Sequence, residues 1–317
     1  MRGLRLALLH NRRVGTLAGL LLLCALLSYL SPFFFTTSNL LNVMEQTSIN
    51  AVIAVGMTFV ILSAGIDLSV GSLVALSGVV MANRLQADWP LPAAISAGVF
   101  TSSLCGLLSG LLITRGKLPP FIATLGMMSV ARGAALLFTD GRPISGFAEG
   151  LRWLSTGRIL GVPLPIPLTI LLYALASVVL NRTRFGRYVY AIGGNEEATR
   201  LSGVAVGFHK TVVYIVSGLT AGCASVLLTA RLNSAQPIAG MNYELDAIAA
   251  VVIGGTSLTG GAGTLGGTLI GALTMGVLRN GLNLLGISSF LQQIVIGMVI
   301  IVAVLVDSLV TSRRSLR

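Results

Sequence analysis

Apolar residues run along this chain in long blocks, broken by short clusters of Gly, Pro, Arg, Asp and Asn. The blocks fall near 14–30, 44–64, 66–84, 92–114, 119–138, 165–181, 211–230, 244–258, 264–283 and 288–307. About 20 apolar residues in a helix cross the ~30 Å hydrocarbon core of a bilayer. The pattern therefore predicts an all-α fold: a polytopic membrane helix bundle of about ten transmembrane helices. The block 244–258 is short enough to be a broken or re-entrant helix. Two connections are longer than the rest. One, 139–164, carries Gly, Pro and Trp153; the other, 182–210, is polar and basic. No low-complexity linker divides the chain, so residues 1–317 read as a single transmembrane domain.

Composition strengthens this reading. Hydrophobic residues make up 54% of the chain and charged residues 10%, with a mean hydropathy of +0.90. A soluble domain carries roughly 25% charged residues, so most of this exterior must face lipid. The 38 glycines fit close packing of membrane helices.

Net charge changes the picture by its position rather than its size. The formal charge is +11, but the basic residues cluster at the ends of apolar blocks and lack the aromatic interleaving of a nucleic-acid surface. They follow the positive-inside rule. With an even number of spans and a cytoplasmic N-terminus, Arg115, Lys117, Arg182, Arg184, Arg187, Arg200, Lys210 and the C-terminal Arg313, Arg314 and Arg317 lie inside. Arg84, Arg142, Arg152, Arg158, Arg231 and Arg279 lie outside. Both termini are expected in the cytoplasm, with 139–164 on the outer side. The basic stretch from Arg2 to Arg13 before the first block could open a signal peptide, but no small-x-small cleavage pattern follows. A retained first helix is the better reading.

The chemical inventory excludes several enzyme classes. There is no G-x-x-x-x-G-K-[ST] phosphate loop; Lys117 and Lys210 stand in unrelated contexts. His10 and His209 form no H-E-x-x-H pair, and no G-x-S-x-G elbow occurs. Cys24, Cys105 and Cys223 read as small apolar side chains rather than disulfides or metal ligands. No cofactor and no metal are expected.

Polar residues that interrupt the blocks are the candidates for function. Gly65, Asp67, Ser69, Gly71 and Ser72 separate the second and third blocks. A glycine-interrupted membrane helix can expose its backbone to a polar cavity; alternatively, Asp67 caps the following helix at the inner boundary. Gly254 to Gly261 form a second, loosely similar interruption, a weak hint of an internal repeat. Asn280 and Asn283 join Asp67 and Ser69 as candidates for a translocation path. Arg132 lies within a block, where a buried charge is costly unless it snorkels. Glu244 and Asp246 begin a span near the outer face, where they could meet a ligand or partner, or simply favour a helix N-terminus. Gly263, Gly267 and Gly271 share one helix face, as do Gly106 and Gly110, and predict close helix contacts. Within 182–210, Asn195 and Gly203 bracket a short helix, which needs a surface to dock on.

The stretch Gly186–Gly203 resembles the coupling segment of permeases from the ribose-type branch of ATP-binding-cassette (ABC) sugar importers. Gly56-Met-Thr-Phe-Val-Ile-Leu-Ser-Ala-Gly65-Ile-Asp67-Leu-Ser-Val-Gly71-Ser72 is similar to that family's second and third helices. Ser234–Pro237, Tyr243–Leu258 and Asn280–Gly286 continue the likeness, which runs from about residue 30 to Asp307. The resemblance implies a non-catalytic permease domain in the bacterial inner membrane, carrying a monosaccharide such as ribose. It implies a second copy of the chain, a separate ATPase subunit and a periplasmic sugar-binding protein as partners. Gly193, Gly194, Asn195, Glu196, Glu197, Arg200, Ser202 and Gly203 would meet the ATPase, and Glu244 and Asp246 the binding protein. Other sugars, or a furanosyl signalling molecule, stay open as cargo. An ion-coupled secondary transporter is the competing class, and it needs intramembrane ionisable relays that this sequence largely lacks.

Overall fold

The computed structural model describes residues 12–315. Arg2, Arg5, His10 and Arg317 lie outside the described residues. Thirteen helices are present among those described, and each of the ten apolar blocks is occupied by one. These are α1 (Arg12–Leu30), α2 (Thr37–Leu62), α3 (Val70–Gln86), α4 (Leu91–Thr114), α5 (Pro120–Leu137), α7 (Pro165–Arg182), α10 (Val206–Leu232), α11 (Tyr243–Ile253), α12 (Leu265–Leu284) and α13 (Ser289–Ser315). Five of them, α2, α4, α5, α7 and α10, are long and apolar enough to cross a membrane, so the protein is helical and multi-pass.

The three remaining helices lie in the two long connections. α6 (Glu149–Thr156) lies in 139–164, flanked by β1 (Ile144–Ser145), β2 (Arg158–Ile159) and β3 (Val162–Pro163). β2 and β3 form a small antiparallel ribbon, and β1 pairs antiparallel with β4 (Ser234–Ala235), Ile144 opposite Ala235. α8 (Arg184–Gly194) and α9 (Glu196–Leu201) occupy the basic connection. The amphipathic α8 is a departure from the polar loop expected before Asn195. Thr183 opens it by accepting the amide of Gly186 at 3.2 Å.

α2 is the axis of the bundle. It packs against α10, α12, α11 and α7, and 83% of its apolar window is buried, against 33% for α4 and α7 and 28% for α5. A helix apolar all round belongs in an interior; α4, α5 and α7 instead turn Leu104, Leu108, Phe121, Ile122, Ile170 and Leu171 outward. Such a surface suits lipid.

Lipid tails remove most of the hydrophobic drive between helices, so close approach and polar contacts must hold them. Gly106 and Gly110 of α4 face the backbone of α10 at Tyr214 and Thr211. Gly267 and Gly271 of α12 abut the carbonyls of Gly254 and Ala250. Gly263 does not share that face: it precedes Thr264, the N-cap of α12. Thr58–Thr268 at 2.9 Å, Thr114–Thr211 at 3.0 Å and Tyr173 to the Ala51 carbonyl at 3.0 Å tie α2 to α12, α4 to α10 and α7 to α2.

Candidate functional site

Two places where helices stop inside the bundle define the site, and the sequence dictates both. After Leu62, Ala64 adopts a left-handed conformation (φ +58°) and Gly65 donates back to the Val60 carbonyl at 2.9 Å. The chain then runs unwound to Ser69 before α3 begins. Asp67 is fully buried. One carboxylate oxygen accepts the Ser69 amide at 2.9 Å and its hydroxyl at 2.6 Å; the other accepts the Ser217 hydroxyl of α10 at 2.7 Å. Asp67 does not cap α3 itself: Ser69 is the N-cap and has no side-chain cap bond, so the two local bonds fix Ser69 at the entry to α3, and the third bond fastens that entry to α10.

The second interruption follows α11. This helix has 11 residues, so it is about 16 Å long, half the thickness of a bilayer core. It is the broken element that the short block 244–258 suggested. Beyond it, Gly255, Gly260 and Gly261 take positive φ values, Ser257 donates to the Ala262 carbonyl at 2.8 Å, and Thr264 caps α12 by accepting the Gly267 amide at 3.1 Å.

These interruptions meet each other and the end of α8. The Gly261 amide donates to the Leu62 carbonyl at 3.0 Å, and the Tyr190 hydroxyl to the Gly263 carbonyl at 2.8 Å. Gly193 lies so close to the Leu62 carbonyl and the Gly261 amide that a methyl group would not fit, and Gly260 is similarly enclosed by Ala64 and Gly193. Segments about 130 and 70 residues apart in the chain thus converge on one backbone-to-backbone contact.

α9 projects from this junction. Asn195 opens it by accepting the Ala198 amide at 2.9 Å, and Gly203 (φ +81°) follows its end, as the bracketing residues predict. Arg200 bridges Glu196 at 2.8 Å and Glu197 at 2.7 Å, while Lys210 reaches Glu196 at 2.9 Å. Leu201 is 80% exposed, a large apolar side chain with no cover.

A second polar group lies toward the other end of the bundle. Asp246, 3% exposed, accepts from Arg279 at 2.7 Å and Asn50 at 3.2 Å. Asn283 accepts from Gln292 at 2.7 Å. Asp246, Arg279, Asn283, Gln292 and Gln293 line a cavity of about 390 Å³ between α11, α12 and α13. Asn280 instead pairs reciprocally with Asn39, at 2.9 and 3.1 Å, away from that lining. Half-buried Glu244 sits with its carboxylate against Gly71. The Arg132 guanidinium donates to the Pro237 and Ala239 carbonyls of the connection between α10 and α11, at 2.7 and 2.8 Å.

So Asp67 and Ser69 belong together at one interruption, Asp246 and Asn283 share the cavity, and the residues expected to meet an ATPase cluster at α8–α9. Sequence reasoning passed over Arg279, Gln292 and Asn50, and also Glu45, which accepts from Ser155 at 3.2 Å and lies 3.7 Å from Arg231. Glu45 stood at the edge of its block, and the helix begins seven residues earlier than the block does, at Thr37. Among the described residues no group of His, Cys, Asp and Glu could hold a metal ion.

Comparison with known proteins bears on what these contacts serve. Residues 39–304 match the family described as "Branched-chain amino acid transport system / permease component". The chain is 51% identical over 297 residues to the ribose import permease protein of Escherichia coli, covering 92% of each, and 49% identical to that of Bacillus subtilis over 93% and 92%. It is 40% identical to the D-allose transport system permease protein of E. coli, over 94% of this chain and 92% of that one. No solved structure matches.

Proposed function

The chain belongs to the branched-chain amino acid transport system / permease component family, and from that premise we propose that it is the non-catalytic, membrane-spanning permease subunit of an ABC importer for a monosaccharide. Ribose is the cargo: ribose import permeases stand at 49–51% identity, against 40% for the allose relative. Ten helices span the bacterial inner membrane with both termini in the cytoplasm. Two copies form the pore, a separate ATPase subunit hydrolyses ATP, and a periplasmic protein delivers the sugar.

The observation that carries this reading is the glycine junction. A helix that seats on an ATPase must act on the path, and α8 touches both interruptions at once through Gly193 and Tyr190. Gly193, Gly194, Asn195, Glu196, Glu197, Arg200, Ser202 and Gly203 form the coupling surface. Glu244, half-buried, and Asp246, 3% exposed, do not suit the docking surface for a binding protein that the sequence suggested. Sugar released at the outer half instead meets the cavity of Asp246, Arg279 and Asn283, a lining of carboxylate, guanidinium and amide suited to hydroxyl groups. Asp67, Ser69 and Asn280 hold the helices that flank the path.

Proteoliposomes holding this chain and its ATPase test the proposal directly. Labelled ribose should accumulate only with ATP inside the reaction and the ribose-binding protein present. Uptake by the chain alone, without ATP, would overturn the ABC reading; assembly without ribose uptake would move the cargo to another sugar.

A further inference from the structure

The two lysines of the chain, Lys117 and Lys210, are 93 residues apart in sequence and line one cavity. That cavity, about 530 Å³, opens between the end of α4, the start of α9 and the first turn of α10, and Thr114, Glu196, Arg200 and Gly207 also line it. Lys210 and Arg200 both neutralise Glu196. Lys117 and the neighbouring Arg115 make no ion pair among the described residues, and both are exposed. The first turn of α10 adds positive potential, because its N-cap Ala205 has no side chain to accept the free amides.

A second cavity adjoins the charged one. A groove of about 390 Å³ shares Thr114 and Gly207 with it and continues along α4 and α10 between Leu107, Leu111, Val212 and Ile215. Arg115 and Phe208 flank the junction, and Phe208 is 66% exposed. Leu108 and Leu112 face outward on the same helix. A basic pocket leading into an apolar trough at a helix-bundle surface matches an anionic head group followed by an acyl chain.

We propose that this cavity and groove form a binding site for an anionic phospholipid of the inner leaflet, with the head-group phosphate between Lys117, Arg115 and Lys210 and one acyl chain between α4 and α10. A free phosphate or an acidic side chain would satisfy the basic mouth but leave the trough empty; the adjacency of the two across Thr114 and Gly207 favours a lipid. The proposal rests only on the protein's being membrane-embedded with α9 on the cytoplasmic side, not on its cargo.

The test uses the full chain in nanodiscs of phosphatidylcholine with a minority of phosphatidylglycerol. Spin-labelled forms of each lipid report how strongly each is retained at the protein. Wild type should retain phosphatidylglycerol several-fold over phosphatidylcholine. Lys117→Gln with Arg115→Gln, both on the surface and harmless to folding, should bring the two lipids to parity. Val212→Trp, which fills the half-buried trough without altering charge, should do the same. Arg158→Gln, at the opposite end, should change nothing. If Val212→Trp keeps the preference while inorganic phosphate displaces the labelled lipid, the mouth is an anion site only and the proposal fails. It fails equally if the double variant retains the preference, including the case in which that variant instead weakens capture of the ATPase or of a second copy.

Discussion

Adjacent glycines in the coupling segment differ in consequence. Gly193 is walled in by the backbone of Leu62 and Gly261, whereas Gly194 has open space where a side chain would go. Gly193→Ala should therefore overpack the junction at a cost of about 1–3 kcal/mol, lowering the thermal midpoint and ATP-dependent ribose uptake together. Gly194→Ala should be neutral or slightly stabilising, since a helical Gly costs roughly 0.5–1 kcal/mol against Ala. Equal effects of the two in thermal denaturation would count against the junction. Asp67→Ala would strand the Ser217 hydroxyl and the Ser69 amide in a dry interior, at about 1–3 kcal/mol for each unpaired group. Asp67→Asn, which keeps a carbonyl acceptor, should lose clearly less in the same assay. The sequence singled out Gly193 and Asp67 by their neighbours, but not their different duties. Those depend on Leu62, Ser217 and Gly261, contacts that no local spacing encodes. The Asp246–Arg279 pair, 33 residues apart, was hidden for the same reason.

Helices were readable in proportion to their length and apolar content. The blocks at 92–114, 119–138 and 165–181 match α4, α5 and α7 to within a residue at each end, because a membrane segment must be both long and continuously apolar. α6 and α8 escaped because they are short and amphipathic, and their residues alone look like polar connections. Gly263 was assigned to a helical stripe because spacing does not reveal where a helix starts; the cap at Thr264 does. α9 was visible because its signal is local: Asn195 before it and Gly203 after it. Asn195→Ala should cost about 0.5–2 kcal/mol of that helix. Amides of 196–201 should then exchange hydrogen faster, while those of α2 stay unchanged. A helix of 6 residues cannot bear that loss alone, so binding of the ATPase should weaken as well.

Over the whole molecule, one end gathers the junction, α8, α9 and the basic cavity, and the other gathers Glu45, Arg231, α6 and the paired strands. From the basic residues, the first end is expected in the cytoplasm and the second outside. Glu196→Lys with Glu197→Lys reverses the acidic edge of α9 beside Arg200 and Lys210. Recovery of the ATPase with the purified chain should fall about tenfold or more, the change that ~1.4 kcal/mol produces, while the chain itself still elutes normally. Unchanged recovery would remove α9 from the coupling surface.

The shortness of α11 has a mechanical reading. One end abuts the glycine junction, and the other carries Asp246 at the wall of the polar cavity. Asp246 lies seven residues from the Ile253 end, about 10 Å along the axis, so a tilt of about 10° about that end would carry it roughly 2 Å. Such a displacement would stretch the 2.7 Å Asp246–Arg279 bond beyond hydrogen-bonding distance, so a tilt of α11 at the junction would open the polar pair.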